Sequence, residues 1–260
     1  MAWRYCGNQI KLWRTQAGVT REELGRAANY EPESVKSMEQ GRRRPSLRLL
    51  EVADELCGAR GKLVAATEYL APERFPSFSR DFMRYEAEAR VLNWYENQLI
   101  PGLLQTEDTA RALLSAHWPP LDDDTVEERV RARLARQAVL HKQTKSFTFV
   151  IEEAVLRRPV CSKGAHKLQL QHLLAAGEPR HVTVQVVPSV GVHPGVNGPF
   201  VLLETAEHER LAYEEGQAMG MLYSDAERVS TLTQRHAMIV RQALNPEESA
   251  RFICRLAEEL

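Results

Sequence analysis

Cysteine is scarce, and none of it is spaced as a pair. Cys6, Cys57, Cys161 and Cys254 lie far apart with no C-x-x-C motif, which argues against a zinc ribbon or a dithiol redox site and predicts reduced, mostly packed thiols. No run approaches the roughly 18 uncharged apolar residues of a membrane span, and the first residues lack the apolar core of a secretory signal. A cytoplasmic protein without a membrane partner is therefore expected. The only glycine-rich stretch, Gly191 to Gly198, is neither a dinucleotide fingerprint nor a phosphate loop, and reads as a loop between strands. Eight histidines include no H-E-x-x-H or paired ligand spacing, so no metal or other cofactor is expected. Cys161 with His166 or His193 is the best nucleophile pairing available, but no third residue or nucleophile elbow accompanies it. The expectation is a protein that is not an enzyme.

A strong net charge is also missing: 34 Lys and Arg face 35 Asp and Glu. That balance hides an asymmetry. Residues 1–70 carry 12 basic and 9 acidic side chains, and the remainder carries 22 and 26. Within the basic part, Arg42, Arg43 and Arg44 form a cluster of the kind a phosphate backbone attracts. With 43% hydrophobic residues over 260 positions, the chain can bury a real core and is long enough for two domains.

Periodicity divides the chain further. The first 70 residues read as short helices. Ile10, Leu12, Trp13 and Ala17 recur at helical spacing before Gly18. Thr20-Arg21-Glu22-Glu23 spells a capping box for a second helix through Leu24 and Ala27. Pro32 suits the first turn of a third helix, with Val35 and Met38 inward and Gly41 closing it. Ser46 caps a fourth helix carrying Leu47, Leu50, Ala53 and Leu56, and Leu63 to Leu70 supplies a fifth. Two prolines in 71–77 mark a boundary, giving domains 1–72 and 78–260. Beyond it, helices are predicted over 79–98, 106–117 and from Asp122 to Ala138, the last with a Val126, Val130, Leu134 and Ala138 stripe. Strands follow at 147–151, 182–187 and 200–203, with shorter candidates at 211–214 and 219–223. Further helices are expected at 163–176, 225–243 and 246–258. The fold class is mostly α, with a five-helix front followed by an α+β domain holding a small, mainly antiparallel sheet.

A tight turn between the second and third helices is the plan of a helix-turn-helix, whose third helix enters the major groove. Gly7-Asn8-Gln9-Ile10-Lys11-Leu12-Trp13-Arg14, Gly18-Val19-Thr20-Arg21-Glu22-Glu23-Leu24 and Met38-Glu39-Gln40-Gly41-Arg42-Arg43-Arg44-Pro45-Ser46 resemble the phage-repressor and Cro-like family often called XRE. That resemblance implies a double-stranded DNA partner. It places Thr20, Arg21, Gln40, Arg42, Arg43 and Arg44 towards phosphates, Pro32, Glu33 and Ser37 at base-reading positions, and Ser34 and Lys36 beside them. Glu31 stands where the family commonly has a Ser or Thr cap. Glu33 could accept from a cytosine amine, or Glu31 and Glu33 could be solvated carboxylates at a helix start. The resemblance also implies an ion pair between Arg14 and Glu39 that braces the first helix against the third.

The larger domain carries Glu86-Ala87-Glu88-Ala89, Ile100-Pro101-Gly102-Leu103-Leu104-Gln105-Thr106, Arg131-Ala132-Arg133-Leu134-Ala135-Arg136-Gln137, Glu153-Ala154-Val155-Leu156-Arg157-Arg158-Pro159 and Gly198-Pro199-Phe200. These phrases resemble the actinobacterial WhiJ-like regulators. The resemblance implies an antitoxin-like transcriptional regulator controlled by a small BldB-like protein encoded nearby, or a protein whose main task is to sequester that partner. The sequence departs from the family at Thr109, commonly Tyr, and at Cys161, frequently Gly. Pro101-Gly102 predicts a tight turn, either a buried helix corner or the edge of an effector or partner pocket walled by Trp94, Tyr95 and Gln105. Arg157 and Arg158 are candidates for an anionic partner. Arg129, Arg131, Arg133 and Arg136 read as a solvated, salt-bridged helix. A homodimer is expected, with Leu232, Ile239, Leu244 and Ile253 of 225–258 as its candidate interface.

Overall fold

The computed structural model describes residues 2–70, 80–217 and 219–260. The chain divides into two compact units, Met1–Pro72 and Glu73–Leu260. The proline-containing segment 71–77 lies outside the described residues.

In the first unit, α1 (Ala2–Gln16), α2 (Arg21–Ala28), α3 (Pro32–Glu39), α4 (Leu47–Cys57) and the short α5 (Thr67–Leu70) enclose Ile10, Leu24, Val35, Met38, Leu49 and Leu50. The inward face of α1 is Cys6, Gly7 and Ile10, whereas Leu12 and Ala17 are exposed, contrary to the stripe read from spacing. Gly7 explains the rotation. A Cβ there would stand 2.1 Å from the Met38 carbonyl oxygen, so α1 and α3 meet backbone to backbone. On α4, Leu47 and Leu56 are likewise exposed while Leu49 and Val52 are buried. The buried Asp54 holds the loop that follows, accepting from the amides of Gly61 (2.6 Å), Leu63 (2.7 Å) and Val64 (3.2 Å). Burial works against its ionisation, but these three donors prevail and keep its carboxyl below the usual range.

The second unit is built on a six-stranded mixed sheet of order β3-β2-β1-β4-β5-β6, comprising β1 (Val91–Glu96), β2 (Ser146–Glu152), β3 (Val182–Val187), β4 (Phe200–Glu204), β5 (Arg210–Glu215) and β6 (Gly220–Tyr223). Pairs β1·β2 and β2·β3 are parallel; β1·β4, β4·β5 and β5·β6 are antiparallel. Parallel pairing demands long crossovers, which α7 (Glu107–Ser115) with α8 (Asp123–Arg136), and α9 (Glu153–Arg157) with α10 (Lys163–Ala176), supply. The expected helix 79–98 is corrected: α6 spans Arg80–Glu88, and the chain then enters the central strand β1. Pairing on both sides and burial on both faces override the helical period of the flanking Glu86-Ala87-Glu88-Ala89. The α8 stripe also ends early, since Ala138 is exposed within a 3-10 turn over Gln137–His141.

Alternation sorts the core onto two faces. Trp94, Phe149, Val184 and Tyr213 pack under α6, α10 and α12 (Pro246–Glu258), while Tyr95, Val150, Phe200 and Ala212 pack under α11 (Ala226–Val240). Leu232, Ile239 and Ile253 belong to these cores and Leu244 packs against one of them, so the apolar stripe proposed for dimerisation is spent inside the unit. Among the thiols, Cys6 and Cys57 are buried, Cys161 is half-buried and Cys254 is exposed.

Candidate nucleic-acid interface

The local sequence positions the second and third helices tightly. Thr20 Oγ1 accepts from the Glu23 amide (3.1 Å), and the Glu23 carboxylate accepts from the Thr20 amide (2.7 Å). Donation from the Thr20 amide, and then from the Thr20 hydroxyl (2.9 Å), holds the exposed Glu23 carboxyl below its usual range. Asn29 closes α2 in the left-handed region, and the Tyr30 hydroxyl donates to Ser46 Oγ (2.9 Å), tying the turn to the cap of α4. Pro32 opens α3 after an extended Glu31 whose side chain makes no capping bond, consistent with its departure from the usual Ser or Thr.

Val35, Met38 and Glu39 face inward, so Glu33, Ser34, Lys36, Ser37 and Gln40 occupy the outer part of α3, exposed or half-buried. Glu33 does not stand alone: Lys36 Nζ lies 3.0 Å from its Oε1 and 3.1 Å from its Oε2. The amides of Arg42 (3.0 Å) and Arg43 (3.3 Å) both donate to the Ser37 carbonyl, folding the arginine loop back onto the helix. Gly41 permits this with φ +67, and a Cβ on it would meet the Arg4 backbone at 2.5 Å. The start of α1 therefore places exposed Arg4 beside the arginine loop, 37 positions from it in sequence and invisible to motif reading. Among the described residues, no carboxylate is paired with Arg4, Arg42, Arg43 or Arg44.

The scaffold converges on Glu39, which has a fully buried side chain. Its Oε1 accepts from Arg14 Nε (2.6 Å), and its Oε2 from Arg21 Nε (2.7 Å). Arg14 also donates to the Val19 carbonyl (2.6 Å), just ahead of the α2 cap. One carboxylate thus fixes α1, α2 and α3 together. Arg21, expected to face phosphate, is partly engaged inside the domain, with a third of its side chain exposed.

The candidates in the second unit fare differently. Trp94 and Tyr95 are buried on opposite faces of β1, and Gln105 is buried in the loop after it, so they do not wall one pocket. Gln105 donates to the Ile100 carbonyl (2.6 Å) and accepts from Arg133 (2.7 Å). The Gln137 amide reaches the Gln105 carbonyl (2.6 Å), while Arg136 Nε lies 2.7 Å from the buried Glu86. Three of the phrases quoted above are therefore one packed junction. Arg133 and Arg136 belong to it rather than to a solvated face, although Arg131 pairs on the surface with Glu128 (2.7 Å). Arg157 pairs with Glu153 (2.6 Å) over the Phe252 ring, and Arg158 donates to the Gln98 carbonyl. The two departures from the family pattern touch, Thr109 Oγ1 lying 4.0 Å from Cys161 Sγ. A half-buried group that sequence reasoning missed is Glu152, which accepts from Tyr95 (2.7 Å) and lies 2.9 Å from the buried His193 Nε2. The alternation of β1 and the position of His193 in a loop gave no signal of that meeting.

A buried three-helix brace beneath an outward α3, flanked by four arginines, defines a helix-turn-helix DNA-binding domain, and residues 7–67 match a family described as a helix-turn-helix domain. The protein is a DNA-binding regulator of transcription. Residues 79–255, more than half of the chain, match a second family, described as a domain of unknown function (DUF5753), and the chain belongs to that family. No curated protein and no solved structure matches the chain. No helix among the described residues is long and apolar enough to cross a membrane.

Proposed function

We propose that this protein is a dimeric, sequence-specific regulator of the XRE and WhiJ-like, antitoxin-like kind, which acts in the cytoplasm by binding rather than by catalysis. The observation that carries the reading is the arginine loop folded onto Ser37, which puts phosphate-seeking charge next to the residues on the outer face of α3. Phosphate contacts from Arg4, Arg42, Arg43 and Arg44 supply salt-sensitive affinity; Glu33, Ser37 and their neighbours supply discrimination. The Lys36 contact tempers the repulsion between Glu33 and the DNA backbone. A titration of the full chain against DNA from its own promoter region, at two salt concentrations, tests this. A complex whose affinity falls steeply with salt and exceeds that for unrelated DNA is expected.

In this reading, the second unit binds a small BldB-like protein encoded nearby. The internal packing of Trp94, Tyr95 and Gln105 favours a macromolecular partner over a small effector held by those three residues. Co-purification with the neighbouring gene product tests that part.

A further inference from the structure

The two edges of the sheet are treated differently. At β3 the outer groups of Val186 are used, its amide donating to Ser249 Oγ (3.0 Å) and its carbonyl accepting from the Leu244 amide (2.8 Å), and the Gln185 side chain covers the same edge by donating from Nε2 to the Leu244 carbonyl (2.9 Å). At β6 they are not. The Gly216 amide donates to the Met219 carbonyl (2.8 Å), and antiparallel pairing alternates, so Met221 and Tyr223 turn their backbone groups towards β5. Gly220 and Leu222 therefore turn theirs outward, with no partner among the described residues.

Exposed strand edges are ordinarily blunted by Lys, Pro, a bulge or a cover. Gly220-Met221-Leu222-Tyr223 is short but contains neither Lys nor Pro, and among the described residues it has no bulge or cover. Instead, Met219 and Met221 are exposed at 60% and 45%, on the side of the sheet that faces α11. A groove of about 350 Å³ runs beside them, lined by Glu214, Asp225 and Glu227 against Arg228 and Arg235.

We propose that β6 is the homodimer interface, pairing antiparallel with β6 of a second copy about a twofold axis through Met221. The register that sets Gly220 opposite Leu222 of the copy uses all four outward groups of each strand, and it makes the edge its own complement. Met221 then packs on its counterpart, where an unbranched thioether adapts well. The groove carries both signs of charge, so a copy of itself can bring a guanidinium to each carboxylate cluster. The result is one twelve-stranded sheet, with a twofold axis of the kind a palindromic operator requires. This inference rests on the dimeric part of the proposed function and identifies its surface.

The test is light scattering on the full chain over a range of concentrations, with Met221→Lys, Met221→Glu and their mixture. The wild type is expected at twice the chain mass. Each single variant should dissociate at least about tenfold more readily, because like charges meet on the axis, and the mixture should recover the dimer. Variants that dimerise like the wild type would overturn the interface and leave the dimer standing; a wild type that is monomeric throughout would overturn both. Should the variants lose their fold by circular dichroism, amide exchange on the wild type decides. Gly220 and Leu222 should gain protection as the dimer forms, while Met221 and Tyr223 stay protected throughout; unprotected Gly220 and Leu222 in a dimer would refute the pairing.

Discussion

The two units bury charge in opposite ways. In the first, one carboxylate, Glu39, gathers two guanidiniums from neighbouring helices and fixes their relative rotation. In the second, Glu86, Glu96, Arg133 and Arg136 come from segments distant in sequence, and burial shifts several of them. It pushes Glu96 up to about 8, with Glu215 adding to the rise against Trp94 and Leu99 as donors. Burial and the neighbouring Arg136 bring Arg133 down to about 10. Glu86 is also raised by burial, against the pull of Arg136. A compact ion cluster makes a rigid platform whose outer face is left to its ligand; dispersed buried charge makes a body whose stability depends on pH.

That contrast breaks most visibly at Glu39. Glu39→Ala should cost the first unit about 3 kcal/mol or more, because Arg14 loses its buried partner. Calorimetry on the full chain should then show the transition of the first unit moving down while that of the second holds. In the second unit, Glu96 retains its proton in the folded state well above 4.5, so the unfolded chain deprotonates first and stability falls as pH rises from about 4.5 to 8. Glu96→Gln should remove that fall, worth on the order of a few kcal/mol, and denaturant midpoints at pH 5 and 8 would register it.

His236 gives the opposite slope. Burial holds its imidazole down to about 4, so the unfolded chain gains a proton first and stability is lost as pH drops from 6.5 towards 4. His236→Phe should abolish its share of that acid loss, roughly 2 to 3 kcal/mol. At the outer surface of the first unit the effects are smaller and concern the ligand. Arg43→Ala should weaken all DNA sequences alike and reduce the slope of log affinity against log salt by about 0.9. Glu33→Ala should relax discrimination at one base pair by about tenfold or less, leaving the salt slope nearly unchanged.

Much of the first unit was legible because its instructions are local. The capping box at Thr20, proline at the first turn of α3, glycine after its end and Ser46 ahead of α4 each act within four residues. What spacing could not convey was the rotation of α1, which depends on the Gly7 backbone meeting α3, or the arrival of Arg4 beside Gly41. In the second unit, β3, α10 and α12 carry strong periods and clear ends, so spacing alone locates them to the residue. β1 escapes spacing because six residues with buried neighbours on both faces have no period of their own. The Gln105–Arg133 and Glu86–Arg136 contacts, and the burial of the supposed dimer stripe, follow from tertiary packing that no local pattern encodes.

The decisive question is whether the outer face of α3 grips a duplex. Fluorescence anisotropy of the full chain with DNA from its own promoter region, compared with a variant in which Arg42, Arg43 and Arg44 are all alanine, measures that directly. Expected are a complex of the unaltered chain that weakens steeply between about 50 and 200 mM salt, and a variant that stays folded but has lost most of that dependence. Equal, salt-insensitive binding by both chains, or none by either, would contradict that expectation.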